Sequence, residues 1–249
     1  MKVYLAVGHF GYTKGLLANA DVLCSYIYLR GNDNALRAIK QTRNFMLDSG
    51  VYSMINSRKN ISIEHYADEY AQFVKDNNIK QYVELDVDQI YGVEYTRRLR
   101  DRIENRVGWE SIPVWHTIRG KESFIDDAKN YSYIALGYFL TEGIRPSITE
   151  KYAKSFCDLA HLYGCRIHGL GFTKTNSLPS IPFDSVDSSS WTASYRYGNI
   201  SIFDGKNMVK KTKPTNKRLR SCRDVGRFCF LEWRKFQDYA LYNINPIWV

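Results

Sequence analysis

Short apolar runs of β-branched, leucine and aromatic residues recur eight times along the chain, each bounded by turn formers or polar residues. They span 2–7, 22–29, 45–47, 81–87, 112–117, 133–139, 166–172 and 185–188, with the length and composition of buried strands. Between most of them, apolar residues return every three or four positions, which predicts helices over 34–42, 62–76, 93–105, 121–129 and 149–163. The second helix opens on Ser62 and Glu64 and puts Tyr66, Tyr70, Phe73 and Val74 on one face; the last stops at Gly164, as a helix C-terminus does. The stretch 173–182 holds two prolines and is too short for a regular helix. A further helix over 224–241, carrying Phe228, Phe230, Leu231, Trp233 and Phe236, closes or caps the set.

Eight strand-and-helix alternations over this length predict an α/β fold, a (β/α)₈ TIM barrel forming a single domain over 1–249. An open doubly wound sheet is the competitor. It loses ground because no GxGxxG or GxxxxGK[ST] turn follows the first strand. At 44% hydrophobic residues the chain can bury a full core. It contains no apolar run of about eighteen residues, and residues 1–8 read as a strand rather than a signal peptide. The expectation is a cytoplasmic protein with no membrane partner. Cys24, Cys157, Cys165, Cys222 and Cys229 are odd in number and lack CxxC spacing, which fits reduced thiols. No histidine beyond His168 completes a zinc set with Cys222 and Cys229, so no metal is expected.

The net charge of +9 is localised. The segment 206–227 carries Lys206, Lys210, Lys211, Lys213, Lys217, Arg218, Arg220, Arg223 and Arg227 against Asp224, and the remainder is nearly neutral. Pro214 and Asn216 break regular structure there, so the segment reads as a loop that tracks phosphates, with a solvated surface loop as the plainer alternative. A second basic cluster, Arg97, Arg98, Arg100, Arg102 and Arg106, alternates with Glu94, Asp101 and Glu104 and reads as a salt-bridged helix face.

In a barrel the active site forms at the carboxyl ends of the strands. Those positions hold Asp48, Ser49 and Gly50, Asp86 and Asp88, His116, Gly137 and Tyr138, His168 and Gly171, and Asp184 and Asp187. Taken singly, such an aspartate is as often a helix N-cap, and such a histidine a structural one. Together they are an unusually polar mouth. A close carboxylate pair suits displacement at a glycosidic carbon, where one ionised Asp attacks and the other carries the proton. Repulsion between the two raises the pKa of one and keeps the other ionised. This favours glycosyl transfer or hydrolysis over redox chemistry.

The blocks Leu47-Asp48-Ser49-Gly50-Val51-Tyr52, Val83-Glu84-Leu85-Asp86, Pro113-Val114-Trp115-His116, Ala135-Leu136-Gly137-Tyr138, His168-Gly169-Leu170-Gly171 and Phe183-Asp184-Ser185-Val186-Asp187-Ser188 follow one another in this order. Over roughly 45–190 the chain resembles the tRNA-guanine transglycosylase superfamily, closest in character to the phage and bacterial proteins that insert 7-deazaguanines into DNA. The resemblance implies that Asp187 is the nucleophile on the sugar C1′, with Asp184 the nearby alternative. It implies that Asp48 is the general acid/base. Asp86 would accept hydrogen bonds from the base, Ser49, Gly137, Tyr138 and Gly171 would line its pocket, and Tyr52 and His168 would stack on it. His116 stands where the family usually has glutamine, and Tyr138 where it has the second glycine of a pair.

The family's zinc motif is absent, so the resemblance implies no cofactor, and the basic segment, through Lys210, Lys211, Lys213, Lys217, Arg218 and Arg220, would bind nucleic acid in its place. With no appended RNA-binding domain, DNA is favoured over tRNA as the partner. The expected activity is a base-exchange transglycosylase, a pentosyltransferase replacing guanine in DNA with a 7-deazaguanine (preQ0-like) base. The alternatives are a tRNA-directed guanine transglycosylase, a DNA or nucleoside N-glycosylase, and a non-enzymatic nucleic-acid-binding barrel.

Overall fold

The computed structural model describes residues 1–8, 10–56, 62–137, 146–172, 174–193, 197–212 and 221–245. Seven parallel strands are β1 (Lys2–Ala6), β2 (Asp21–Ser25), β3 (Asn44–Asp48), β4 (Val114–Trp115), β5 (Tyr133–Leu136), β6 (Arg166–Gly169) and β7 (Ser185–Ser188). They form one curled sheet in the order β3-β2-β1-β7-β6-β5-β4. Helices flank it, as parallel strands buried on both faces require.

The expected strand over 81–87 is not a regular strand. Its residues make two isolated parallel bridges, Leu47 to Tyr82 and Val83 to Ile112. Leu47 N–H donates to the Gln81 carbonyl at 2.9 Å, and Val83 N–H returns a bond to Leu47 at 2.8 Å. On the other side Ile112 N–H donates to Tyr82 at 2.8 Å and Glu84 N–H to Ile112 at 3.1 Å. The segment thus touches residues at both edges of the sheet. The expected runs 22–29 and 166–172 are also shorter than predicted, ending at Ser25 and Gly169. After Ser25 the chain turns at once into the short helix Tyr26–Leu29.

Alternation along the strands divides the core. Tyr4, Leu23, Met46, Val83, Ile112, Val114, Tyr133 and Ala135 form one buried cluster fed by six different stretches of the sheet, while two larger clusters fill the space between sheet and helices. The helix Ile63–Asp76 shows why the sequence reading worked: Ser62 accepts from His65 N–H at 3.2 Å as N-cap, and Ile63, Tyr66, Ala67, Tyr70, Ala71 and Val74 are buried at helical spacing. Tyr26 packs on the rings of Tyr66, Tyr70 and Phe73.

The basic segment departs from the expected loop. Its first part belongs to an antiparallel hairpin, β8 (Asn199–Phe203) with β9 (Met208–Thr212), turning at Asp204, which accepts from the N–H groups of Lys206 and Asn207. Its last part opens the helix Cys222–Asn243, capped by Ser221, which accepts from Asp224 N–H. That helix is tied to the sheet by Gln237, whose side chain bonds the backbone of Val3 and both backbone groups of Asp21. All five cysteines are unpaired, four of them buried. No helix among the described residues is long and apolar enough to cross a membrane.

Candidate active site

Period-two alternation sets which side chains share the mouth. Ser25 and Asp48 are register partners at the carboxyl ends of β2 and β3, and the Ser25 hydroxyl donates to the Asp48 carboxylate. The chain leaves β3 through Gly50 at φ +67°, a conformation that disfavours a side chain, and a Cβ there would press to 3.2 Å on Ser25. Burial raises the Asp48 pKa above its ordinary value; the Ser25 bond opposes the shift, and the negative charges of Asp187 and Asp86 add to it. The negative charges of Asp187 and Asp86 thus add to burial in pushing Asp48 toward its protonated form.

Asp187 is held differently. It lies on β7, largely buried, and its Oδ1 accepts from Gly171 N–H at 2.6 Å and faces His168 Nε2 at 3.3 Å. His168 Nδ1 meets the Ser185 hydroxyl, which also meets the Tyr133 hydroxyl. Tyr133 keeps its proton because burial drives its pKa upward. A consistent donor chain runs from Tyr133 through Ser185 and His168 to Asp187 Oδ1. Among the described residues both donors converge on that one oxygen, leaving Oδ2 as the oxygen without a restraining bond. His168, expected to stack on a base, is fully buried. It is a support beneath Asp187, because Ser185 on the neighbouring strand supplies a partner inside the sheet.

Asp184 is separated from this mouth. It precedes β7 at the amino end, where its carboxylate accepts from Ile167 N–H at 2.7 Å and bonds His161 at 3.0 Å. It shares no contact with Asp48 or Asp86.

Opposite Asp187, His116 Nε2 bonds Asp86 Oδ2 at 2.6 Å. Its ring fills the space above Gly137: a Cβ at that glycine would lie 2.2 Å from His116 Cε1. Burial lowers the His116 pKa, but the bond and charge of Asp86 more than reverse this, so it ends raised. Burial also raises Asp86, against the pull of His116. The pair holds a proton between its members. Asp86 Oδ1 is buried without a donor.

Below the pair lies an ionic network that the sequence reading missed. Arg119 bonds Asp88 at 2.7 Å and Glu84 at 2.9 Å, while Arg100 bonds Asp127 at 3.1 Å and stands 3.8 Å from Glu84. Burial raises the Glu84 pKa to about 7 in spite of both arginines. For Asp88, burial pushes upward but Arg119 holds it below the ordinary range. Of the cluster expected to form a salt-bridged helix face, Arg102 pairs with Asp68 at the surface, but Arg100 turns inward. Asp86, Asp88 and His116 offer donor atoms within 4.8 Å of one another, the donor group among the described residues compact enough for a cation. Arg119 already supplies positive charge to Asp88.

Ser49 is buried, its carbonyl accepting from the Tyr66 hydroxyl at 2.6 Å. Tyr52 lies on the next helix, Val51–Asn56, 74% exposed at the rim. Lys210 and Lys211 are exposed on β9. Tyr138, Lys213, Lys217, Arg218 and Arg220 lie outside the described residues.

A cleft of about 560 Å³ lies beyond the carboxyl ends of β6 and β7, lined among others by Lys174, Asn176, Ser190, Ser201, Lys210 and Trp233. No protein-family profile matches the chain, and no curated protein matches it. The resemblance to the transglycosylases thus stands on the residue blocks alone.

Proposed function

We propose that the chain is a base-exchange transglycosylase acting on guanine in nucleic acid, DNA in preference to tRNA, with a 7-deazaguanine as incoming base. We further read the sheet as a (β/α)₈ barrel in which the 81–87 segment is the eighth stave. The bridges from Tyr82 and Val83 to the two sheet edges support that closure.

The observation that carries the function is the unequal treatment of two carboxylates in one mouth. Asp48 is biased toward protonation and Asp187 is pinned through one oxygen with donors. That division suits a double displacement. Asp187 Oδ2 forms a bond to C1′ while the C1′–N9 bond breaks, and the departing electron pair on guanine takes the proton from Asp48. The incoming base then loses its N9 proton to Asp48 as N9 attacks C1′, breaking the ester and freeing Asp187. Bonds and protons balance over the cycle, which needs no energy source.

Base recognition falls to the opposite wall. Asp86, its side chain 29% exposed and bonded through Oδ2 to His116, is the carboxylate acceptor for the N1–H and exocyclic amine of guanine. His116, kept in place by Gly137 and charged by Asp86, fits the carbonyl edge as donor. A base inside a helix must leave the stack to reach this mouth. Incubation with DNA carrying labelled guanine and a free 7-deazaguanine base tests the reading: label release that requires the added base is expected. Release without it would make the protein a hydrolase, and no release would contradict the reading.

A further inference from the structure

The cleft beyond β6 and β7 is built rather than incidental. Hairpin β8–β9 is fixed over the loop after β6 by the Met208 N–H bond to Thr175 Oγ1 at 3.3 Å, and to the terminal helix by Phe203 N–H on Glu232 at 2.9 Å. Ser201 and Lys210 are register partners on the hairpin, and both line the cleft. Lys174 faces them from the loop after β6, bonded to Glu150, and Lys210 makes no ion pair among the described residues. The acid in the lining, Asp204, is occupied by the N–H groups of its own turn. Trp233, also in the lining, is only 3% exposed. Two lysines with several amides and hydroxyls form a set suited to an oxygen-rich anion.

We propose that this cleft binds a backbone phosphodiester adjoining the nucleotide that reacts at Asp187. Ser190 in its wall is three residues beyond Asp187, so the cleft lies on the sugar side of the mouth, away from the base-reading pair Asp86 and His116. The carboxylates of the mouth repel phosphate, and the nearest built cationic surface accepts it. This assignment rests on the nucleic-acid reading above but is measured without chemistry.

The experiment is equilibrium binding of a short single-stranded DNA with a tetrahydrofuran abasic residue at its centre, across a salt series, to the full chain. Lys174→Ala and Lys210→Ala are each expected to weaken binding on the order of fivefold at low salt. Each should also reduce the slope of log affinity against log salt by about 0.7. Lys40→Ala, at the amino end of the sheet, should change neither. Wild-type slopes in the two lysine variants, with thermal melts unchanged, would overturn the proposal, as would a wild-type protein that does not bind the strand. So would inorganic phosphate perturbing Trp233 fluorescence when the strand does not. If base exchange fails but the lysine slopes fall, the cleft stands and the catalytic reading alone is lost; exchange with unchanged slopes removes the cleft alone.

Discussion

The imidazole of His116 occupies the space a side chain at Gly137 would need, its Cε1 only 2.2 Å from the position of that missing Cβ. Because the same ring bonds Asp86, the glycine fixes, from a neighbouring strand, the group proposed to read the base. Gly137→Ala is expected to cost about 1–3 kcal/mol through overpacking and to displace His116 from Asp86. Urea denaturation checks the first effect, and base-exchange KM, rising more than kcat falls, checks the second. A variant with wild-type stability and KM would show that the ring moves aside freely.

How much of this was legible in the sequence varies with the origin of each feature. The helix Ile63–Asp76 was readable because its cap and apolar face are local. The strand ends carrying Asp48 and Asp187 were readable because each closes an apolar run. The hairpin has a local signal in Asp204-Gly205, between Ile200 and Ile202 on one side and Met208 and Val209 on the other, but the surrounding lysines give the segment the composition of a solvated loop. Glu84 and Arg119 were not readable, since their pairing is made by neighbouring segments far apart in sequence. His168 was assigned to the base for a similar reason: the Ser185 and Asp187 that engage it lie on the adjacent strand.

Asp48 is predicted to cost stability at neutral pH. Its folded pKa is raised, by burial first and then by Asp187 and Asp86. A carboxyl so raised stabilises the fold below its unfolded pKa, and that contribution is lost as pH rises through the folded value. Asp48→Asn should therefore melt higher than wild type at neutral pH, with the gain shrinking toward acid pH, while base exchange is abolished. A lower melting temperature at neutral pH would contradict the protonation bias assigned to Asp48.

The buried ionic network predicts a large, pH-dependent loss. Arg119→Met leaves Glu84 and Asp88 short of their cation, and breaking a buried pair costs about 3–5 kcal/mol. With the Glu84 folded pKa at about 7, its contribution is present below the unfolded value and fades as pH rises through 7. Without Arg119 the deficit should be larger at about pH 8 than at about pH 5. Denaturation at the two pH values checks this, and equal losses would contradict it.

In the proposed reaction the chain from Tyr133 through Ser185 and His168 orients Asp187 without touching substrate. Ser185→Ala should slow formation of the glycosyl-enzyme ten- to hundredfold, the order expected for a small misplacement of a reacting group, with DNA affinity unchanged. Tyr133→Phe, one link further out, should have the smaller effect. Single-turnover rates set against equilibrium binding separate the two; an affinity loss equal to the rate loss would make the chain merely structural.

The division of labour between Asp187 and Asp48 is tested most directly by intact-mass analysis of the protein after denaturing quench from guanine-containing DNA. Wild type is predicted to carry a covalent DNA adduct that maps to Asp187, that is absent in Asp187→Asn, and that disappears on adding 7-deazaguanine. An adduct that persists in Asp187→Asn, or wild-type protein that exchanges bases with no adduct at any time, would contradict it.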